Sequence, residues 1–82
     1  MVWKIEWHPK AFKKLKKFPF KVQKRIINKV GKLRENPFQF LDHFHGKLYK
    51  LRIGDYRMLI DVDFKEKIIR IQVLDHRKRI YK

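Results

Sequence analysis

The sequence contains no cysteine, so it can form neither a disulfide framework nor a thiolate metal site. It is also poor in acidic residues, with 8 aspartates and glutamates against 23 lysines and arginines. No apolar run is long enough to span a bilayer, and the N-terminus has no signal-peptide pattern. Together these absences predict a cytoplasmic protein without a membrane-spanning segment.

The excess of basic residues is the most prominent property of the chain. The formal net charge is +15 at pH 7, and the isoelectric point is about 10.4. A field of this sign attracts polyanions and raises the rate at which the protein meets them. Nucleic acid is therefore the first candidate partner, with an anionic membrane surface or an acidic protein as alternatives.

The chain still has enough apolar residues to fold. Hydrophobic residues make up 44% of its 82 positions and aromatic residues 15%, unlike the composition of a disordered basic tail. This length and composition predict one small domain that spans residues 1–82.

A predicted β-hairpin at residues 47–62 organises the chain. Gly54 and Asp55 separate two alternating runs, and glycine at the first central position suits a two-residue type II′ turn. This turn fixes a register in which one face is apolar, pairing Ile53 with Tyr56, Leu51 with Met58, and Tyr49 with Ile60. On the other face Arg52 lies opposite Arg57. Two facing cations repel each other, so we expect this face to hold an anion.

The remaining segments complete an α+β fold. Alternation over residues 1–7 predicts a strand, Pro9 begins a short helix that Pro19 ends, and a second helix runs to about residue 35. Residues 38–46 are predicted to be a loop, and residues 67–74 a last strand. The predicted architecture is an N-terminal strand, an antiparallel helical hairpin and a three-stranded antiparallel meander, with the helices packed on one face of the sheet. The predicted register of the last two strands pairs Ile60 with Ile69, Met58 with Ile71, and Tyr56 with Val73.

The outer face and the C-terminal tail carry the candidate site for RNA cleavage. Attack of a 2′-hydroxyl on the adjacent phosphorus needs a base, an acid and positive charge on the phosphorane oxygens. Arg57 and Arg77 suit the third role, because a guanidinium contacts two phosphate oxygens at once. Lys50, crowded by neighbouring cations, is a candidate base or charge stabiliser, and His76 and Tyr81 are candidates for acid, orienting group or stacking platform. The predicted RNA-binding residues are Lys47, Arg52, Arg79, Lys13, Lys17 and Lys24.

No metal site or cofactor is predicted. His43 and His45 could bind a metal, but a zinc site needs four ligands, and the sequence offers no cysteine or second histidine pair. The arginines can supply the positive charge that a metal ion would otherwise provide.

Two segments resemble the RelE/ParE superfamily of toxin–antitoxin toxins: LRIGDYR at residues 51–57 and HRKRIY at residues 76–81. The near-terminal tyrosine resembles the RelE branch. The resemblance implies a ribosome-dependent mRNA endonuclease that cuts in the A site and leaves a 2′,3′-cyclic phosphate. It also implies a cognate acidic, RelB-like antitoxin, with the ribosome and mRNA as further partners and no membrane.

The resemblance also assigns roles to individual residues. Arg57 takes the place of the family's transition-state arginine, Arg77 that of the arginine after the last strand, and Tyr81 that of the stacking tyrosine. Lys50 takes the place of one of two lysines that members carry on the preceding strand, while Leu48 stands at the position of the other. Two alternatives stay open: a ParE-like gyrase inhibitor, which the fold shared within the superfamily implies, and a nucleic-acid-binding module without activity, which the charge alone suggests.

Overall fold

A computed structural model describes residues 2–76 of the chain. Its elements are β1 Lys4–Trp7, α1 Pro9–Lys16, α2 Phe20–Lys32, a 3-10 turn Pro37–Gln39, β2 Asp42–His45, β3 Leu48–Ile53, β4 Tyr56–Asp63 and β5 Ile68–His76. The five strands form one sheet in the order β1-β5-β4-β3-β2. Within the described residues, no helix is long and apolar enough to cross a membrane.

The helical hairpin is set by local sequence signals. The His8 side chain accepts a hydrogen bond from the Lys10 backbone N–H at 3.1 Å, and Pro9 occupies the first helical position. Pro19 separates the two helices, as predicted, because proline cannot continue the helix before it. The short link that remains makes the two helices antiparallel neighbours.

The β3–β4 hairpin has the predicted register. Ile53 pairs with Tyr56, Leu51 with Met58, and Arg52 with Arg57. Gly54 has φ +57°, while Asp55 does not have a positive φ, and this combination is that of a type II′ turn. The turn therefore decides which face of each strand is apolar, and the prediction is confirmed.

The apolar face of the sheet is covered by the helices. Leu51, Met58 and Ile60 are at most 1% exposed. They belong to one core cluster with the buried residues of the two helices, which are Ala11, Leu15, Ile26 and Val30. The helices therefore occupy one face of the sheet, and the other face, the outer face, is left for the basic side chains.

The predicted register between β4 and β5 is wrong. Val62, not Ile60, pairs with Ile69, because the connecting loop, residues 64–67, begins one residue later than predicted. A bulge follows: Ile60 pairs with Ile71, but Leu59 pairs with Val73, so that Gln72 is the extra residue. Beyond this bulge every side chain of β5 changes face. Leu74 is consequently buried at 3% exposure, whereas Val73 is 40% exposed.

Two further features of the sheet go beyond the sequence prediction. β1 pairs with β5 in parallel and forms one edge, a neighbour that the sequence did not reveal. Asp42–His45, predicted to be part of a loop, forms the strand β2 at the other edge, where it pairs with β3. Gly46 has φ +56° in the tight connection between β2 and β3, a conformation that suits glycine.

Candidate functional site

The outer face of the sheet holds a small basic depression. It has a volume of about 210 Å³, and Asp42, Lys50, Arg52 and Arg57 line it. Arg52 and Arg57 face each other across the hairpin, and Lys50 lies two positions before Arg52, hence on the same face. Three of the predicted site residues therefore meet in one place, and we call it the basic depression.

Arg57 is the most buried charged residue of the described chain, with 7% of its surface exposed. Its Nη1 donates hydrogen bonds to the backbone carbonyls of Gly54, at 3.2 Å, and Tyr56, at 3.3 Å. A guanidinium has five N–H donors in a rigid planar fork, so two carbonyl contacts through one nitrogen fix its orientation without using its whole capacity. Arg57 is therefore a preorganised donor within the basic depression.

The turn at Gly54 contacts both Arg57 and helix α2. A Cβ on Gly54 would lie 2.8 Å from Nη2 of Arg25, a residue of helix α2. Glycine suits this position because of its positive φ, whereas the Arg25 contact involves the far end of an exposed, flexible side chain that can move aside. The same residue offers a carbonyl to Arg57, so its conformation and the position of Arg57 are linked.

Lys50 and Arg52 differ in their surroundings. Lys50 is half-buried, and its Nζ lies 5.4 Å from the centre of the Phe44 ring, within the range of a cation–π contact. Its cross-strand partners are Leu59 on β4 and Asp42 on β2. Arg52 is exposed. The neighbours of Lys50 therefore restrict its position, while Arg52 lies at the solvent side of the basic depression.

His76 is not where the sequence predicted. It pairs with Tyr56, and the two rings meet edge to face with centroids 5.8 Å apart. Tyr56 also contacts Phe18, near the end of the first helix, so this ring pair lies on the helix-covered face of the sheet. The bulge at Gln72 is the reason, because it moves His76 to the face opposite Arg57. A role for His76 beside Lys50 and Arg57 is not supported by this placement.

Asp75 was predicted to lie beyond the last strand, but the structure places it within β5. It is the cross-strand partner of Arg57 on the outer face, and its Oδ1 lies 3.6 Å from Nζ of Lys14 in helix α1. Sequence reasoning missed Asp75 because the extra residue in β5 cannot be placed from alternation alone. The available signal was the adjacent pair Val73 and Leu74, either of which can face the core.

Asp42 is the residue of the basic depression that the sequence did not reveal. It lies on β2 directly opposite Lys50 and lines the basic depression. A signal was present: Asp42 and Lys50 stand four residues on either side of Gly46, as in a hairpin centred on that glycine. Treating residues 38–46 as a loop concealed it.

The other predicted RNA-binding residues lie apart from the basic depression. Lys47 is exposed between β2 and β3, three residues before Lys50. Lys13, Lys17 and Lys24 are exposed on the helical hairpin or its link, on the other side of the sheet. Arg77, Arg79 and Tyr81 lie outside the described residues. The predicted set thus separates into the basic depression and a distant basic surface on the helices.

In a second charged cluster on the outer face, one arginine lies between two carboxylates. Arg70 on β5 donates to Glu6 on β1 at 3.1 Å and to Asp63 on β4 at 3.3 Å. Burial lowers the pKa of Arg70, but the hydrogen bonds to Asp63 and Glu6 outweigh it and raise the pKa above its usual value. A hydrogen bond from the Glu66 backbone N–H, together with Arg70, lowers the pKa of Asp63. This ion-pair cluster joins three neighbouring strands.

Neither the possible metal ligands nor the larger depression of the described structure provides a competing candidate site. Among residues 2–76, no group of three or more histidine, aspartate or glutamate side chains could hold a metal ion. A larger depression of about 560 Å³ lies near the C-terminal end of α2, where Gly31, Lys32, Arg34 and Phe40 form part of its wall. None of the predicted site residues lines it, so the chemistry points to the smaller, basic depression.

Comparisons with known proteins agree with this architecture. The family profile described as ParE toxin of type II toxin–antitoxin system, parDE, matches residues 5–81. No curated protein matches the chain. The chain is similar to a solved archaeal RelE–RelB complex from Pyrococcus horikoshii, with 29% identity over 96% of this chain and 99% of that one, and a TM-score of 0.81.

Two more distant structures share the fold. The toxin–antitoxin complex RelBE2 from Mycobacterium tuberculosis has a TM-score of 0.83, with 20% identity over 93% of this chain and 99% of that one. The intact RelBE complex from E. coli has a TM-score of 0.79, with 15% identity over 92% of this chain and 96% of that one. Since the family profile covers nearly the whole sequence, the chain belongs to the ParE toxin family of type II toxin–antitoxin systems, within the RelE/ParE superfamily.

Proposed function

We propose that this toxin is a ribosome-dependent mRNA endonuclease that cuts in the ribosomal A site and so inhibits translation. The observation that carries the proposal is the fixed guanidinium of Arg57 in the basic depression, facing Arg52 and flanked by Lys50. A preorganised cation in a confined site stabilises a pentacovalent phosphorane more than it stabilises the starting phosphodiester. The similarity to solved RelE–RelB complexes supports the same choice.

The proposed reaction is attack of the mRNA 2′-hydroxyl on the neighbouring phosphorus. Arg57 contacts the non-bridging oxygens, and Lys50 adds positive charge beside them. Arg77 and Tyr81 remain predicted site residues from the family resemblance, as phosphate ligand and stacking platform respectively. The positive charge in this scheme comes from side chains, so no metal ion takes part in it.

The basic surface of the helices is suited to binding ribosomal RNA. Between Lys10 and Arg34 all charged residues are positive, and three of them are the exposed Lys13, Lys17 and Lys24. We expect this surface to contact ribosomal RNA phosphates while the basic depression meets mRNA. Such contacts release counterions, so ribosome binding should weaken steeply as salt is raised. The proposal implies a cytoplasmic protein, because translating ribosomes are there.

An acidic antitoxin is the expected regulatory partner. RelE chains were solved in complexes with RelB in Pyrococcus horikoshii and E. coli, and this chain shares their fold. A net charge of +15 favours an acidic protein as the partner that neutralises it. Growth arrest on expression, relieved by an acidic protein encoded next to the toxin, would support this pairing.

The test of the activity uses purified protein in a cell-free translation reaction. Primer extension should reveal new mRNA ends inside codons when ribosomes translate, and the same mRNA without ribosomes should stay intact. The upstream fragment should carry a 2′,3′-cyclic phosphate. An mRNA that remains uncut during translation would contradict the proposal.

A ParE-like action on DNA gyrase is the second candidate, because the matching family profile is that of ParE. A supercoiling assay separates the two. Inhibition of gyrase at stoichiometric toxin, with translated mRNA left intact, would favour the gyrase inhibitor. mRNA cleavage with normal supercoiling would favour the endonuclease.

A further inference from the structure

The basic depression contains one carboxylate among three cations. Asp42 lies on β2 and pairs with Lys50 on β3, so the two side chains share the outer face. Directly opposite residues in an antiparallel pair have Cβ atoms about 5 Å apart. Asp42 is exposed, so an RNA strand in the depression could reach it. Its carboxylate therefore lies where a scissile phosphodiester would be held.

A carboxylate at this place opposes simple RNA binding. Its negative charge repels the phosphate that the three cations attract, so a depression that only bound RNA would bind it better without Asp42. The chain has few acids, 8 in 82 residues. The position of Asp42 therefore calls for a chemical role that a cation cannot perform.

The missing role is that of proton acceptor. Lysine ammonium and arginine guanidinium groups donate hydrogen bonds and accept none, whereas an ionised carboxylate only accepts them. Among the side chains that line the basic depression, Asp42 alone can take the proton of a 2′-hydroxyl. We propose that Asp42 is the general base of the cleavage reaction, an inference that rests on the proposed function.

The Asp42 carboxylate takes the 2′-hydroxyl proton while the 2′-oxygen forms a bond to phosphorus. The bond from phosphorus to the 5′-oxygen breaks, and this oxygen leaves with a proton from water. The products are a 2′,3′-cyclic phosphate and a 5′-hydroxyl, and Asp42 returns its proton to solvent. In this step Lys50 and Arg57 stabilise the charge on the non-bridging oxygens.

The experiment compares Asp42→Asn with wild type in single-turnover cleavage of mRNA on ribosomes. The expected result is a loss of at least about 100-fold in the cleavage rate, the usual size of a general-base contribution. Binding of the variant to the ribosome–mRNA complex should be unchanged or tighter, because a repulsive charge has been removed. Asp42→Glu should regain much of the lost rate, since it restores the carboxylate.

Asp61→Asn is the matched control. Asp61 also lies on the outer face, opposite Leu48 on β3, but it does not line the basic depression. Its replacement removes the same charge from the same sheet and should leave the cleavage rate within about twofold of wild type. Circular dichroism of each variant checks that the fold is intact.

The alternative role of Asp42, as a counter-ion for Lys50, predicts the opposite sign. If Asp42→Asn cleaves as fast as wild type or faster, the general base lies elsewhere and the inference is overturned. A parallel loss of ribosome binding and cleavage would also overturn it, because Asp42 would then be a docking residue. Failure of the proposed function looks different: wild-type protein itself would not cut translated mRNA.

Discussion

Two arginines on the outer face of the sheet have different surroundings. Arg70 lies between Glu6 and Asp63, so its charge is balanced by two carboxylates from the adjoining strands. Arg57 instead faces Arg52 and is held by the backbone carbonyls of the turn. Both side chains are fixed, but only the second lies in a depression with a second arginine and a lysine.

We infer from this difference that a structural arginine and a phosphate-binding arginine are held in different ways. An arginine that joins strands is neutralised by acids, which satisfies its donors and limits repulsion. An arginine that must bind phosphate is oriented by neutral carbonyl groups, which fix the fork and leave the net positive charge of the site in place. Arg70 and Arg57 can therefore be tested against each other.

The largest expected effect is on activity. Arg57→Ala should lower the rate of ribosome-dependent cleavage by about 100- to 1,000-fold, the cost of removing one preorganised donor to a transition state. Arg70→Ala should leave this rate within about threefold of wild type, because Arg70 lies in the ion-pair cluster and not in the basic depression. Primer extension of translated mRNA measures both. Equal losses in the two variants would contradict the different roles of Arg57 and Arg70.

A change in the turn should affect stability and activity together. Gly54→Ala should destabilise the protein by about 1–2 kcal/mol, because alanine at φ +57° is strained. It should also slow cleavage, since the Gly54 carbonyl orients Arg57.

Gly31→Ala is the matched control for the turn. Gly31 lies within helix α2, with no atom within 4 Å of an added Cβ. Alanine there should stabilise the protein by up to about 1 kcal/mol and leave cleavage unchanged. Urea denaturation gives both free energies. A higher free energy of unfolding for Gly54→Ala than for wild type would show that the turn does not need glycine at residue 54.

The ion-pair cluster should matter for stability alone. Arg70→Met keeps the aliphatic part of the side chain but removes the partner of Glu6 and Asp63. We expect a small decrease in the thermal unfolding midpoint, and this decrease should shrink at high salt because exposed ion pairs are screened. A larger decrease at high salt than at low salt would contradict the assignment.

The smallest expected effect is a pH dependence that originates at Asp63. Its folded-state pKa is lowered, first by the Glu66 backbone N–H and also by Arg70. A lowered pKa means that Asp63 stabilises the fold above its unfolded-state pKa, about 3.9 for a free aspartate, and loses this contribution as the pH falls through the folded value. Asp63→Asn should therefore be less stable than wild type near neutral pH and nearly equal to it in acid. A difference in stability between the variant and wild type that grows as the pH falls would contradict this prediction.

The fold was predictable where a short-range signal fixed the geometry. Gly54 and Asp55 specify the turn, the turn specifies the register of β3 and β4, and the alternation of apolar residues then places the core. Pro9 and Pro19 set the ends of the first helix in the same way. Each of these signals acts within a few residues, so the sequence alone is sufficient.

The sequence predictions failed where contacts between distant parts of the chain decide between two arrangements that suit the local sequence equally well. Val73 and Leu74 are both suitable for the core, and only the packed sheet selects Leu74 through the bulge at Gln72. That choice moved His76 away from the site and made Asp75 the cross-strand partner of Arg57. The strand that contains Asp42 was missed because its histidines and aspartate are weak strand formers and its pairing with β3 stabilises it.

The most direct test of the central claim is a structure of the toxin on a ribosome whose A-site mRNA carries a 2′-O-methyl group at the cleavage position. This group blocks the attack and preserves the uncut phosphodiester. The account predicts that Arg57 lies within hydrogen-bond distance, about 3 Å, of a non-bridging oxygen of that phosphate. A complex in which Arg57 contacts only the turn carbonyls, with the scissile phosphate held by another part of the protein, would contradict it.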